Sequence, residues 1–340
     1  MTDIYRPWGP AEWLFPRLPD QSWSLLGVHG TEERCTAAFE ALTPMGLAAA
    51  HFLKILDPAP TPRAKFDEAF AARRTELLSI GPGQFHDVDL IADLDTMDDV
   101  LTAFVAQAGP HIVLDITAMP KWWFFPLVRM LMGHPDVSDL VVTYSSAVRY
   151  GPQLSSDPAP LAPLMTFSEP PDRTAHDELI VGVGFAPLSL RELYATSAGK
   201  IRYLFPFPPG PPNFFRNWEF LRVLEIEVEN RRMERDDRWF VHMYDCPSTF
   251  DALKGWTSAG RKTTAFAPFG PKTFSLAMCV FALAAAKAGL PPVHVFYTQP
   301  RRYEIDYTTG IKRDADGRPD VKAYCLKLEG RDVYQLAKAS

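Results

Sequence analysis

The chain has 340 residues, 47% hydrophobic and 22% charged, with a formal net charge of -6. That length suits two domains and leaves apolar residues enough for a core in each. The acidic balance excludes the broad basic field of a duplex nucleic-acid binder and leaves room only for a local pocket for a small anion.

Four cysteines, at 35, 246, 279 and 325, form no CxxC pair, and sparse thiols fit a reducing, cytoplasmic setting. Residues 1–19 carry charge and proline and no apolar h-region, so no secretory signal is expected. The longest apolar stretch, 274–286, is too short to span a bilayer and reads as a buried helix, so no membrane association is expected. The 32 prolines cluster at 58–62, 158–171 and 206–212, where loops and linkers are expected.

Residues 24–29 (SLLGVH) read as a buried strand. A helix over 31–42 follows, with Thr31 as its N-cap and Glu32 and Glu33 in its first turn. Helices are expected at 65–77 and at 98–108, the second capped by Thr96. The run 111–116 (HIVLDI) is apolar on both faces, as in a covered parallel strand. An apolar helix at 122–132 and a strand at 140–144 complete the alternation. Prolines between 152 and 171 interrupt it. It then resumes with strands at 178–185, 201–205, 238–244, 263–267 and 293–297. Helices at 189–196, 214–228, 248–256 and 273–288 lie between them. Residues 303–335 read as a hairpin or meander with Asp316 and Gly317 in its turn. The expected fold is α/β. It has two tandem Rossmann-like parallel-sheet units, residues 1–171 and 172–340, and a C-terminal β-hairpin extension on the second.

The two units share landmarks that point to a pseudo-duplication. Asp115-Ile116-Thr117-Ala118-Met119-Pro120-Lys121 ends a strand and opens a helix, and Phe266-Ala267-Pro268-Phe269-Gly270-Pro271-Lys272 does the same 151 residues later. Tyr144 and Tyr297 end the next strand at an offset of 153, as do Tyr150 and Tyr303 six residues on.

In such sheets ligands bind beyond the carboxyl ends of the strands, beside helix N-termini that favour anions. Thr117 and Lys121 in one turn, and Gly270 and Lys272 in the other, are therefore the candidate anion-binding residues, each lysine adding a point charge suited to phosphate. An isolated Pro-Lys pair is equally a good helix start with a solvated lysine. Tyr144, Ser145 and Tyr297 stand where a base or ribose is reached, though strand-end tyrosines commonly only pack. Arg301 belongs to a basic, aromatic cluster after the last strand. Glu33 and Asp115 are the candidate catalytic groups. Against them, acids in a first helical turn favour the dipole, and short acids at strand ends bond their own backbone. No GxxxxGK[ST], GxGxxG, GxSxG or HExxH pattern occurs, and the eight histidines lack ligand spacing, so neither a metal nor a resident cofactor is expected.

The segment 115–121 resembles the strand-to-helix signature D-x-T-G-G-T-K of CRISPR-associated Rossmann-fold (CARF) sensor domains, which also precedes a helix and a strand ending in tyrosine. The second turn, Phe269-Gly270-Pro271-Lys272, is a looser match. Two such units in one chain are similar to the SAVED domains of bacterial anti-phage systems, over roughly 22–150 and 178–300 here. Met119 and Pro120, and Pro271, replace the glycine and threonine of the pattern. The resemblance implies a sensor of a nucleotide or cyclic oligonucleotide second messenger. It also implies a homo-oligomer, and control of a separate effector protein, since no segment here is long enough to be an effector domain. Two alternatives stay open. One is an enzyme on nucleotides or nucleosides, a ring-opening phosphodiesterase or a glycosidase; the other is a non-catalytic subunit of a defence complex.

Overall fold

The computed structural model of the chain describes residues 5–19, 21–57, 64–167, 176–184, 192, 199–208 and 234–338. The helices expected at 189–196 (apart from residue 192) and 214–228 lie outside the described residues.

In chain order the strands are β1 (Trp8–Pro10), β2 (Trp23–Val28), β3 (Leu47–Leu56), β4 (Gln84–Asp89), β5 (His111–Asp115), β6 (Asp139–Ser145), β7 (Ala147–Tyr150), β8 (Ser155–Pro158) and β9 (Ala162–Pro163). Then come β10 (Glu178–Gly182), β11 (Lys200–Phe207), β12 (Arg238–His242), β13 (Thr264–Pro268), β14 (Val293–Tyr297), β15 (Pro300–Tyr303), β16 (Thr308–Ile311), β17 (Val321–Leu328) and β18 (Arg331–Asp332). The described helices are α1 (Ala11–Leu14), α2 (Ala37–Leu42), α3 (Ala64–Ile80), α4 (Leu94–Ala108), α5 (Lys121–Gly133), α6 (Cys246–Trp256) and α7 (Lys272–Lys287).

The chain divides into two compact units, Met1–Asp157 with Pro300–Val333, and Pro158–Gln299 with Tyr334–Ser340. In the first unit the sheet order is β1-β17-β6-β5-β2-β3-β4, with β18 folded back on β17. The five strands from β6 to β4 are parallel. Every residue of β2 and β6 is buried, as expected of strands covered on both faces. β17 pairs antiparallel with β6 and β1 antiparallel with β17. The C-terminal strands, expected as an extension of the second unit, thus complete the first. The expected turn forms, with Gly317 at a φ of 79 and the Asp314 carboxylate accepting from the N–H groups of Asp316 and Arg318. Its flanking strands, however, find separate partners, β16 on β7 and β17 on β6.

The second unit has the order β12-β11-β10-β13-β14-β9. Its first five strands are parallel and β9 is antiparallel. Counted along the chain, the parallel strands of each unit run 3-2-1-4-5 across the sheet. α7 is buried along almost its whole length, as its apolar sequence requires.

Two helix starts are capped by a short acid placed just before the helix. Asp93, not Thr96, caps α4, accepting from the Thr96 N–H at 2.9 Å. Asp245 caps α6 in the same way. Thr31 caps nothing; a 3-10 turn, Glu33–Thr36, precedes α2, and Glu32 turns instead to Arg34. Among the described residues no helix is long and apolar enough to cross a membrane.

Candidate functional site

A 3-2-1-4-5 order reverses between strands 1 and 4, and in such sheets ligands bind beyond the carboxyl ends of those strands. In the first unit those strands are β2 and β5. The two lips beyond their ends are the segments 29–34 and 116–121.

The second lip is built from Asp115 outward. Its Oδ1 accepts from the Thr117 hydroxyl at 2.6 Å, the Thr143 hydroxyl at 3.0 Å and the Thr117 N–H at 3.4 Å. The Thr117 oxygen in turn accepts from the Ser145 N–H at 2.9 Å. A short acid at a strand end gathering nearby N–H and O–H groups is an alternative to continuing the ladder. Here it stitches the end of β5 to the end of β6. Asp115 and Thr117 are both buried. The Asp115 carboxylate therefore positions this turn.

The turn then delivers Pro120 as N-cap and Lys121 as first residue of α5, one position later than a proline at the first helical turn. Trp123 and Phe124 donate their N–H groups to the Pro120 carbonyl, both at 3.0 Å. No acidic residue stands in the first turn, and no side chain caps it. Lys121 is only 7% exposed. Burial pulls its ammonium down to about 7 from 10.5, because a low-dielectric setting disfavours the charged form. Met119 is wholly buried. Gly30, on the opposite lip, would place a Cβ 3.4 Å from that of Ala118, so the two lips nearly touch there.

Beside this turn lies a cluster that sequence reasoning did not assemble. Arg34 is buried, with Nε 2.8 Å from a Glu32 oxygen and Nη1 3.3 Å from both the Tyr144 hydroxyl and the Ser145 carbonyl. Its guanidinium lies 5.7, 5.8 and 6.0 Å from the ring centres of Tyr144, Tyr150 and Tyr307. The Tyr144 and Tyr150 hydroxyls are 3.2 Å apart, and the Thr308 hydroxyl donates to Glu32. Burial holds the Tyr150 and Tyr307 phenols above their ordinary range, so both stay neutral and serve as donors and ring faces. The cluster ties 32–34 to β6, β7 and the start of β16. Nothing local in the sequence joins Arg34 to Tyr307; a long return of the chain does. A Glu33 carboxylate oxygen lies 3.9 Å from where a Cβ on Gly310 of β16 would stand.

In the second unit strands 1 and 4 are β10 and β13, and their ends meet backbone to backbone. A Cβ on Gly184 would fall 1.9 Å from the Phe269 carbonyl oxygen, and one on Gly270 2.9 Å from that of Val183. Both positions therefore need glycine. Pro271 is N-cap and Lys272 first residue of α7, again with no side-chain cap and no acid in the first turn. Lys272 is half-buried. The Tyr297 ring packs 5.8 Å from Phe269. Arg301 is exposed on β15, in a segment that clusters with the first unit.

Ser145 and Thr298 follow the strand-end tyrosines of their units, 153 residues apart. Both are wholly buried, and neither hydroxyl has a hydrogen-bond partner among the described residues. A buried polar group without a partner is costly. The turn 186–189, corresponding to the first lip, lies outside the described residues. Among the described residues no group of three or more His, Cys, Asp or Glu lies together as a metal would need.

No known family matches the chain, and no curated protein does. Among solved structures, a functionally unknown protein, PA1789, from Pseudomonas aeruginosa PAO1 is similar at 11% identity and a TM-score of 0.23, over 83% of this chain and 94% of that one.

Proposed function

We propose that the chain is a sensor that binds a small nucleotide or cyclic oligonucleotide at the carboxyl edges of its sheets and passes the signal to a separate effector in bacterial defence. One observation carries the reading. Pro120-Lys121 and Pro271-Lys272 are N-cap and first residue of the helix after strand 4, in two sheets of the same strand order. The recurrence supports a pseudo-duplication of the two units.

The chemistry is that of an anion site. A helix start without a side-chain cap carries a partial positive charge, and a lysine there adds an ammonium suited to phosphate. With Met119 and proline in place of glycine and threonine, the phosphate is held by the lysine and the helix end and not by a glycine cradle. Ser145 and Thr298 supply hydroxyls on the neighbouring strand. An arriving anion raises the Lys121 pKa and so recovers part of the cost of burying it. The Asp115 carboxylate already accepts three hydrogen bonds through one oxygen, which fits a positioning residue of a binding site.

The test is a thermal-shift panel of mono-, di- and cyclic oligonucleotides, with chromatography of each stabilising compound afterwards. A ligand at a hundred times its dissociation constant adds about 2.7 kcal/mol. The expected result is a stabilising nucleotide recovered unchanged, with the stabilisation lost in the double variant Lys121→Met, Lys272→Met. A compound that is consumed, or stabilisation that survives the double variant, contradicts the reading.

A further inference from the structure

A separate cleft lies in the second unit, at the amino ends of β11 and β12. Its volume is about 760 Å³, within the range of sites for small organic molecules. Its walls are unusual in pairing bare aromatic rings with arginines: Arg202, Arg235, Arg238, Trp239, Phe240 and Trp256.

Among the described residues β12 is an edge strand of its sheet, and it carries Trp239 and Phe240 exposed by 46% and 62%. Large apolar rings left in water on an edge strand are a liability unless something covers them. Trp239 is not loose. Its ring stands edge-on to the buried Trp256 at 5.8 Å and 83°. The Arg202 guanidinium also lies against Trp256, 5.6 Å from the ring centre. Arg202 is itself fixed, with Nε on Glu178 at 3.1 Å and Nη1 on the Asp236 carbonyl at 2.7 Å and the Asp237 carboxylate at 3.3 Å. The cleft therefore has a rigid aromatic wall.

Its charge is also arranged. Glu178 and Asp237 are offset by Arg202 and by their own lysines, Lys262 at 2.5 Å and Lys200 at 3.0 Å. Arg235 and Arg238 are exposed and make no ion pair among the described residues. Among the described residues they stand at the cleft as two cations without a carboxylate partner, and Asp236 is the lining acid. A flat ring to stack on and two free guanidinium groups beside it call for a planar aromatic ring bearing phosphate.

We propose that this cleft is a second ligand site, which takes a nucleotide with its base against Trp239 and its phosphates between Arg235 and Arg238. It is independent of the strand-end lysines and uses none of their residues.

Titration of the full chain with ADP, followed by tryptophan fluorescence and calorimetry, tests it. Adenosine and inorganic pyrophosphate serve as single-feature probes. ADP is expected to quench fluorescence and to bind about tenfold or more tighter than either probe. Trp239→Ala is expected to weaken ADP by about tenfold, since one stacked base is worth that much. Arg235→Gln with Arg238→Gln should weaken ADP and flatten its salt dependence, while Asp236→Asn should tighten it. All four positions are exposed, and unchanged melting of each variant checks that folding is intact. Binding here should persist in Lys121→Met, Lys272→Met, which separates this site from the strand-end one. Absence of ADP binding at millimolar concentration overturns the proposal. So does binding indifferent to Trp239→Ala and to the arginine pair.

Discussion

Replacing Lys121 by Met should stabilise the protein and at the same time remove anion binding. Met keeps the aliphatic stem that packs at the head of α5 and deletes only the ammonium. Burial lowers that ammonium from 10.5 to about 7. A tenfold change in proton affinity is about 1.36 kcal/mol, so the ceiling on the cost of holding the charged form is about 5 kcal/mol. Relaxation around the site cuts what is realised, and a gain of about 2 kcal/mol at pH 7 is expected. For a unit of this size that raises the melting temperature by roughly 4–8 °C. The sign with pH follows from the lowered pKa. Below pH 7 the native and unfolded chains both hold the proton and the cost is full. From pH 7 to 10.5 the unfolded chain still holds a proton that the native chain has released, so the wild type recovers stability as pH rises. The gap between variant and wild type should therefore shrink between about pH 7 and 9.5 in chemical denaturation. A Lys121→Met chain no more stable than wild type at pH 7, with an unchanged pH slope, refutes the reasoning.

Arg34→Met leaves the half-buried Glu32 without its cation and should cost about 3 kcal/mol by urea unfolding, with part of it restored by adding Glu32→Gln. Full stability in the single variant contradicts the ion-pair account of that cluster. Ser145→Ala and Thr298→Val remove buried hydroxyls that lack partners, so each should be neutral or stabilising by up to about 1 kcal/mol without ligand. A loss above that size shows a hydroxyl bonded in the native state. Burial, with His86 beside it, lowers His51 to about 4 from 6.5. The native state then binds fewer protons than the unfolded one, so stability falls as pH drops from 6.5 to 4. With solvent screening allowed for, the fall is about 2 kcal/mol. His51→Leu should flatten that acid limb; an unchanged limb assigns it to other groups.

Much of this fold is legible in the sequence because its central strands are buried on both faces. β2, β5, β6, β10, β13 and β14 each stand within three residues of an apolar run read from sequence. β3 gives no such signal because LAAAHFLKIL opens on alanines, which favour helix, and only tertiary pairing between β2 and β4 makes it a strand. β4, QFHDVD, is a polar edge strand with one buried residue, so it carries no periodic signal. The pairing of β17 on β6 joins residues about 180 apart and has no local signature. At the site, Asp115, Thr117, Lys121, Tyr144 and Ser145 can be read together, because one turn and one strand end hold them all. The burial of Lys121 is not visible, since a lysine after proline reads equally as solvated. In the sequence Arg34 stands out only as a neighbour of Glu33. Its tyrosine cage comes from two stretches far from it in the chain, 144–150 and 307, which spacing cannot reveal.

Calorimetric titration of wild type and of Lys121→Met, Lys272→Met with the best stabilising nucleotide tests the central claim most directly. The expected result is saturable binding to the wild type, recovery of the nucleotide unchanged, and loss of affinity in the variant although that variant melts higher. Equal affinity in the two proteins contradicts an anion site at the paired helix starts.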